Sequence, residues 1–323
     1  MKRPKFLNAL LHSEQAGLLI AFVLLCLVIS FLTPVFLTGA NIKNVLRDAS
    51  LIAIAGIGMV MIILLGEIDL SVGSSQALVG ILAVAMLNQT DSVGVALLAA
   101  LATGACIGLL NGLLVTRAKI NSLIATLGMM AILRGTAMVS TKAVSIQAEI
   151  DLFAEVGTGY LGPLPIPVLI ALALFVLFYY VLHHTVLGRY IYAIGGNASA
   201  ARLSGLAVDR TRVAVFVIGG MLAALSGFIL ASRLNSGQPN AGLGFELQVI
   251  AAVILGGISL TGGVGTLGGA FIGILILTVL NNGLVLLNVS SFYHDIARGV
   301  VIILAVYLDG RRKESLLKRL LKS

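Results

Sequence analysis

Six charged residues fall in or beside long apolar runs of this chain: Glu67, Asp69, Arg134, Glu246, Asp295 and Arg298. A charge at bilayer depth is costly, so it faces protein or water and marks a pathway, a relay or an ion pair. Glu67 and Asp69 sit in the polar break Gly66-Glu67-Ile68-Asp69-Leu70-Ser71. Two readings stand for them: they bind a coupling ion together with Glu246, or Asp69 or Ser71 caps the free N–H groups that open the next helix. Asp295 and Arg298, spaced i and i+3, read as an intrahelical pair. The histidines give one adjacent pair, His183-His184, and helical neighbours point about 100° apart, so they do not converge on one metal. No Gly-x-x-x-x-Gly-Lys-Ser/Thr phosphate loop occurs, which excludes ATP hydrolysis by that route. The run Gly262-Gly263-Val264-Gly265-Thr266-Leu267-Gly268 mimics a dinucleotide fingerprint but follows no strand, and it reads as a tight turn between two helices. With no Ser-His-Asp or paired-carboxylate pattern in the apolar runs, an integral membrane enzyme lacks a catalytic constellation.

The elements that must position these groups are membrane helices. The chain has 323 residues, 59% of them hydrophobic and 11% charged, with a mean hydropathy of +1.09. A soluble domain lies nearer half apolar and about a quarter charged. Apolar runs of roughly 20 residues, enough to cross about 30 Å of hydrocarbon, recur from end to end. They are continuous rather than alternating, which excludes an outer-membrane barrel. Ten spans are predicted: 16–32, 49–65, 74–87, 93–115, 123–140, 164–182, 213–231, 247–260, 267–287 and 292–308. The third and eighth are the shortest, and are expected to be broken or tilted. The basic start Met1-Lys2-Arg3-Pro4-Lys5-Phe6 resembles a signal peptide, but no small-residue cleavage site follows Leu32, so the first run is read as a retained helix. Cys26 and Cys106 lie inside apolar runs and are expected to pack as buried small hydrophobes.

Basic residues set the expected orientation. With the N-terminus in the cytoplasm, the outside loops hold only Lys43, Arg47, Lys142 and Arg233, and Arg134 and Arg298 lie within spans. All remaining lysines and arginines then fall inside, so the net charge of +8 reflects topology rather than nucleic-acid binding. Spans two to five and seven to ten read as two inverted four-helix repeats, each with a polar, Gly-containing break before its short second helix, at Gly66–Ser71 and at Gly244–Leu247. Interrupted helices of this kind mark transport pathways. Glycines at helical spacing, among them Gly104, Gly108 and Gly112, signal close helix packing. The fold class is therefore an all-α polytopic membrane protein of about ten helices with both termini cytoplasmic. It forms a single domain over residues 1–323, with a cytoplasmic loop at 183–212 and a basic tail at 309–323.

That loop is a polar, basic island, and its centre, Asn197–Leu206, reads as one short helix between glycines. With Leu203 and Leu206 as an apolar edge and Arg202 beside them, it either inserts into a partner's groove or lies on lipid headgroups.

Three long motifs carry a resemblance: LLGEIDLSVGSSQALVG (Leu64–Gly80), LHHTVLGRYIYAIGGNASAARLSGLAVD (Leu182–Asp209) and GGISLTGGVGTLGGAFIGILILTVLNNGLVLL (Gly256–Leu287). They resemble the permeases of bacterial ATP-binding-cassette importers for ribose and related monosaccharides, over nearly the whole chain. Glu67 departs from the Gly that often precedes the Ile-Asp-Leu-Ser run in that family. The resemblance implies a multi-pass inner-membrane subunit with no cofactor of its own, ATP and Mg residing in a partner ATPase. Its implied partners are that cytoplasmic ATPase, a periplasmic sugar-binding protein, a second permease copy or paralogue, and the lipid bilayer. Nucleic acid is not among them. The coupling element would comprise Asn197, Ala200, Ala201, Arg202, Leu203, Ser204, Gly205 and Leu206. Lys43, Arg47 and Arg233 are outside cations suited to docking a binding protein, or to touching headgroups. Gln76, Asn121, Thr126, Asn281 and Asn282 are the polar residues that must meet protein, water or sugar, and they are the expected translocation path. The rival class is an ion-coupled secondary transporter using Glu67, Asp69 and Glu246.

Overall fold

A computed structural model describes residues 14–290 and, beyond them, residues 293, 296, 299, 300, 303 and 307. The predicted tenth span, the Asp295–Arg298 pair and the basic tail lie mainly or wholly outside the described residues. Twelve helices appear among the described residues: α1 (Glu14–Leu32), α2 (Gly39–Leu64), α3 (Val72–Thr90), α4 (Val93–Thr116), α5 (Ser122–Thr141), α6 (Asp151–Thr158), α7 (Ile166–His184), α8 (Val186–Gly196), α9 (Ala198–Leu203), α10 (Val208–Leu234), α11 (Phe245–Leu255) and α12 (Leu267–Leu286). Seven of them are long and apolar enough to cross a membrane, and α1 and α11 are shorter apolar helices. Two-residue strands form two antiparallel ladders, β1 (Ile146–Gln147) with β4 (Ser236–Gly237), and β2 (Tyr160–Leu161) with β3 (Leu164–Pro165).

Local chemistry sets the helix ends. Asn121 Oδ1 accepts the Leu123 N–H, Asn197 Oδ1 accepts the Ala200 N–H and Thr266 Oγ1 accepts the Gly269 N–H, each giving an acceptor to a free N–H at a helix start. At the other ends Asp91, Lys142 and Asn235 adopt the left-handed conformation, with φ of 52°, 53° and 49°.

The core is built around α2, which is buried along most of its length from Ala49 to Leu64. The helices α7, α10, α11 and α12 surround it, and α1 rests outside on a small cluster of Ile29, Phe36, Val45 and Val279. The crossing of α4 and α10 depends on glycine. A Cβ on Gly108 would come within 2.2 Å of the Phe216 carbonyl oxygen, so the two backbones touch as predicted from the Gly104–Gly108–Gly112 spacing.

Several expectations are corrected. The third span is not shortened: α3 runs 19 residues and is long enough to cross. The eighth is short as expected, with 11 residues in α11, about 16 Å of helix. The second helix starts ten residues earlier than predicted, because Gly39–Asp48 is a polar, capped first segment of α2. The loop at 141–163 contains α6, whose Phe153 is fully buried against Phe228 of α10 with ring centroids 5.3 Å apart. The island at 183–212 holds the short helix expected at its centre, as α9 over Ala198–Leu203, and a second helix, α8, that was not expected. Cys106 is exposed on α4 and Cys26 is half-buried, so neither is the fully buried thiol expected.

Candidate functional site

The two polar breaks meet in the middle of the bundle. After α2, the chain turns at Gly66 (φ 79°) and runs back to open α3. After α10 it turns back through residues 235–244 to open the short α11. The starts of α3 and α11 touch: a Cβ on Gly73 would come within 2.2 Å of both Gly242 O and Glu246 Oε2.

Each break is pinned by side chains. Asp69 Oδ1 accepts the Ser71 N–H at 2.8 Å and the Ser71 hydroxyl at 2.6 Å, while Asn111 of α4 donates to Ser71 Oγ at 2.9 Å. Asp69 therefore closes a local turn on Ser71 just before α3, and no side chain caps the first N–H groups of α3 itself, which the capping alternative expected. Ile68 and Leu70 give their N–H groups to Ser122 and Thr126 of α5. Glu67 pairs with Arg212 of α10 at 3.0 Å. In the second break, Arg134 Nη1 on α5 donates to Pro239 O at 2.6 Å and to Ala241 O at 2.7 Å, with Glu246 close enough to act on its charge.

The bundle has a basic end and a far end. At the far end a cavity of about 610 Å³ opens between α2, α3, α10, α11 and α12. Its polar lining is Asn41, Asn44, Asp48, Gln76, Arg233, Gln248, Thr278, Asn281 and Asn282. Arg233 and Asp48 pair with each other, and Asn41 and Asn282 exchange amide hydrogen bonds of 3.0 and 2.9 Å. Gln76 is 1% exposed; its Nε2 donates to Ser226 Oγ at 2.7 Å, and the Ser226 hydroxyl donates to Leu51 O at 2.9 Å.

Of the five residues expected on a path, Gln76, Asn281 and Asn282 come together in this cavity. Asn121 and Thr126 do not. Asn121 caps α5 and lines a cavity of about 570 Å³ at the basic end, with Glu67, Lys119, Arg202, Asp209 and Arg212. Thr126 is fully buried and holds the first break. Asn41, Asn44 and Asp48 were missed, although their spacing of three and four residues is a polar helical stripe; it was discarded because the span was begun at Ala49.

Also at the basic end, α8 buries Ile191 and Ile194, and Gly195 lies against Leu64 O and the Gly263 N–H. Tyr192 donates to Gly265 O at 3.0 Å, and burial pushes its phenol up. The run 262–268 is the tight turn expected, with positive φ at Gly262, Gly263 and Gly265. In α9, Asn197 and Ala200 are exposed, Ala201 is buried, and Arg202 pairs with Asp209 at 2.8 Å. Leu203 is 90% exposed, Ser204 and Gly205 (φ 83°) turn the chain, and Leu206 packs back on the core rather than outward.

Of the three far-end cations, Arg233 is taken up by Asp48. Lys43 and Arg47 both lie over the Tyr160 ring, at 5.0 and 4.6 Å from its centroid, and Arg47 donates to Thr158 O.

Comparison with known proteins adds identity to this geometry. The chain is 45% identical to the ribose import permease protein RbsC of Escherichia coli K12 over 315 residues, 96% of this chain and 98% of the relative. It is 42% identical to RbsC of Bacillus subtilis, covering 93% and 94% of the two chains. It is 37% identical to the L-arabinose transport system permease protein AraH of E. coli K12, covering 94% and 92%. No solved structure matches. The family described as the permease component of branched-chain amino acid transport systems matches residues 41–306. With seven apolar helices able to span a bilayer around two facing breaks, the chain is a multi-pass membrane protein and belongs to that permease family.

Proposed function

We propose that this chain is the membrane permease subunit of an ATP-binding-cassette importer that moves a monosaccharide, ribose or a similar pentose or hexose, across the inner membrane. The observation that carries this reading is the near full-length likeness to ribose and arabinose permeases. The far-end cavity supports it chemically. Its two charged residues neutralise each other, and what remains is amide and hydroxyl. Such a lining suits the many hydroxyls of a sugar. A free amino acid carries a carboxylate and an ammonium, and burying either without a counter-charge is costly.

ATP hydrolysis belongs to a separate subunit in this reading, with ATP and Mg bound there, and α9 is the element seated in it, led by exposed Leu203 and by Arg202. The basic end is then cytoplasmic, as are both termini. A periplasmic binding protein docks on the far end, where Lys43 and Arg47 frame Tyr160, and a second permease copy or a paralogue completes the channel. The facing breaks before α3 and α11 support two inverted repeats. The ion-coupled alternative is not favoured: Asp69 is committed to Ser71 and Glu67 to Arg212.

The test is uptake by the complete complex in proteoliposomes, with labelled ribose, arabinose and leucine each offered with a binding protein for it. Saturable pentose uptake with none of leucine is expected. Leucine uptake with no pentose uptake would overturn the substrate class.

A further inference from the structure

The ion pair between Glu67 and Arg212 joins two parts of the fold that the proposed mechanism must move relative to each other. Glu67 lies in the break that opens α3, and Arg212 is the fifth residue of α10, which follows α9 after a short turn. Their side chains are 11% and 23% exposed, at the wall of the basic-end cavity. Three residues before Arg212 on α10, Asp209 holds Arg202 of α9 at 2.8 Å. Contacts therefore run without a gap from α9 through Arg202–Asp209 to the base of α10, and through Arg212–Glu67 to the break. The break leads through Asp69 and Ser71 into α3, and α3 carries Gln76 into the far-end cavity.

The pair is built to be exchanged rather than permanent. Lys119 lines the same cavity and offers Glu67 a second cation, while Asp209 offers Arg212 a second carboxylate. A pair with water on one side separates far more easily than one sealed in apolar core, where a lone charge would be stranded. Beyond the pair, Asp69, Ser71 and Val72 are all nearly inaccessible in this chain, whereas the far-end cavity is open. The buried contact sits where closure toward the cytoplasm is required.

We infer that Glu67–Arg212 is the latch that holds the path shut at the basic end, and that movement of α9 releases it through the Arg202–Asp209 pair. This rests on the importer reading above. Both residues are positioning residues: they set the break and α3 without touching substrate.

The test uses the whole complex with its ATPase, in inside-out vesicles, with Cys26→Ser and Cys106→Ser as background. Val72→Cys, at the buried first position of α3, is labelled from the cytoplasmic side by a membrane-impermeant thiol reagent. Slow labelling is expected with the pair intact, and labelling about tenfold faster with Glu67→Gln or with Arg212→Gln, within the usual range of coupling between sites. Exchanging the charges, Glu67→Arg with Arg212→Glu, should restore slow labelling and raise the sugar moved per ATP hydrolysed above that of either single variant. Equal labelling throughout, or an exchange no better than the single variants, would overturn the latch. Should a single variant fail to assemble, the exchange must recover both assembly and slow labelling, and failure to do so also overturns it. A wild-type complex that shows this labelling pattern but takes up no monosaccharide would sink the functional reading and leave the latch standing.

Discussion

Asp69 is 3% exposed, and one of its carboxylate oxygens accepts from both the N–H and the hydroxyl of Ser71. Asp69→Ala strands that buried N–H, and a stranded donor costs about 1–3 kcal/mol. The purified protein should therefore melt at lower temperature, whereas Asp69→Asn, which keeps an acceptor, should recover most of the loss. If instead both variants melted like wild type and sugar uptake lost its response to an ion gradient, the coupling reading would return. The sequence showed that the acids at 67 and 69 mattered but left two roles open. The bond between Asp69 and Ser71 is a local relation that their spacing allows, although it closes a turn before α3 rather than capping the helix. The partner of Glu67 could not, because Arg212 is brought to it only by the packing of α10 beside the first break. Likewise Arg134 was visible as a charge in an apolar run, but nothing nearby indicated that it clamps the carbonyls of Pro239 and Ala241.

The contact between α4 and α10 rests on a line of glycines. Gly108→Leu would drive a side chain into the Phe216 carbonyl, a backbone atom that cannot swing aside. A loss of at least 1–3 kcal/mol, typical of overpacking, is expected, seen as a lower midpoint when heated protein is followed by size-exclusion chromatography. Gly128→Ala on α5, where no atom lies within 4 Å of an added Cβ, should melt like wild type. Equal midpoints for the two would mean that the α4–α10 crossing does not depend on close backbone approach. Apolar length made the spanning helices legible, and glycine spacing made their closest contact legible. Short amphipathic helices were not: α8 and α6 each bury one narrow stripe, led by Ile191 and Ile194 in one and by Phe153 in the other, and in the sequence they look like loop. The polar start of α2 was lost for the converse reason, since Asn41, Asn44 and Asp48 interrupt hydropathy while lining the cavity.

The molecule as a whole places an open, charge-balanced cavity at one end, a basic, partner-like surface at the other, and two facing breaks between them. In the proposed function, the exposed Leu203 on α9 and the ion pairs behind it are where a partner's movement enters the chain. Energy, in that proposed function, enters there from ATP hydrolysed by a partner, and not from ions bound at the buried acids. The direct measurement is labelled pentose uptake by the permease, its ATPase and its binding protein in proteoliposomes, with ATP and ion gradients varied independently. Uptake is expected to require ATP and the ATPase, and to continue when proton and sodium gradients are collapsed. Uptake by the permease alone, driven by an imposed proton or sodium gradient and indifferent to ATP, would contradict it.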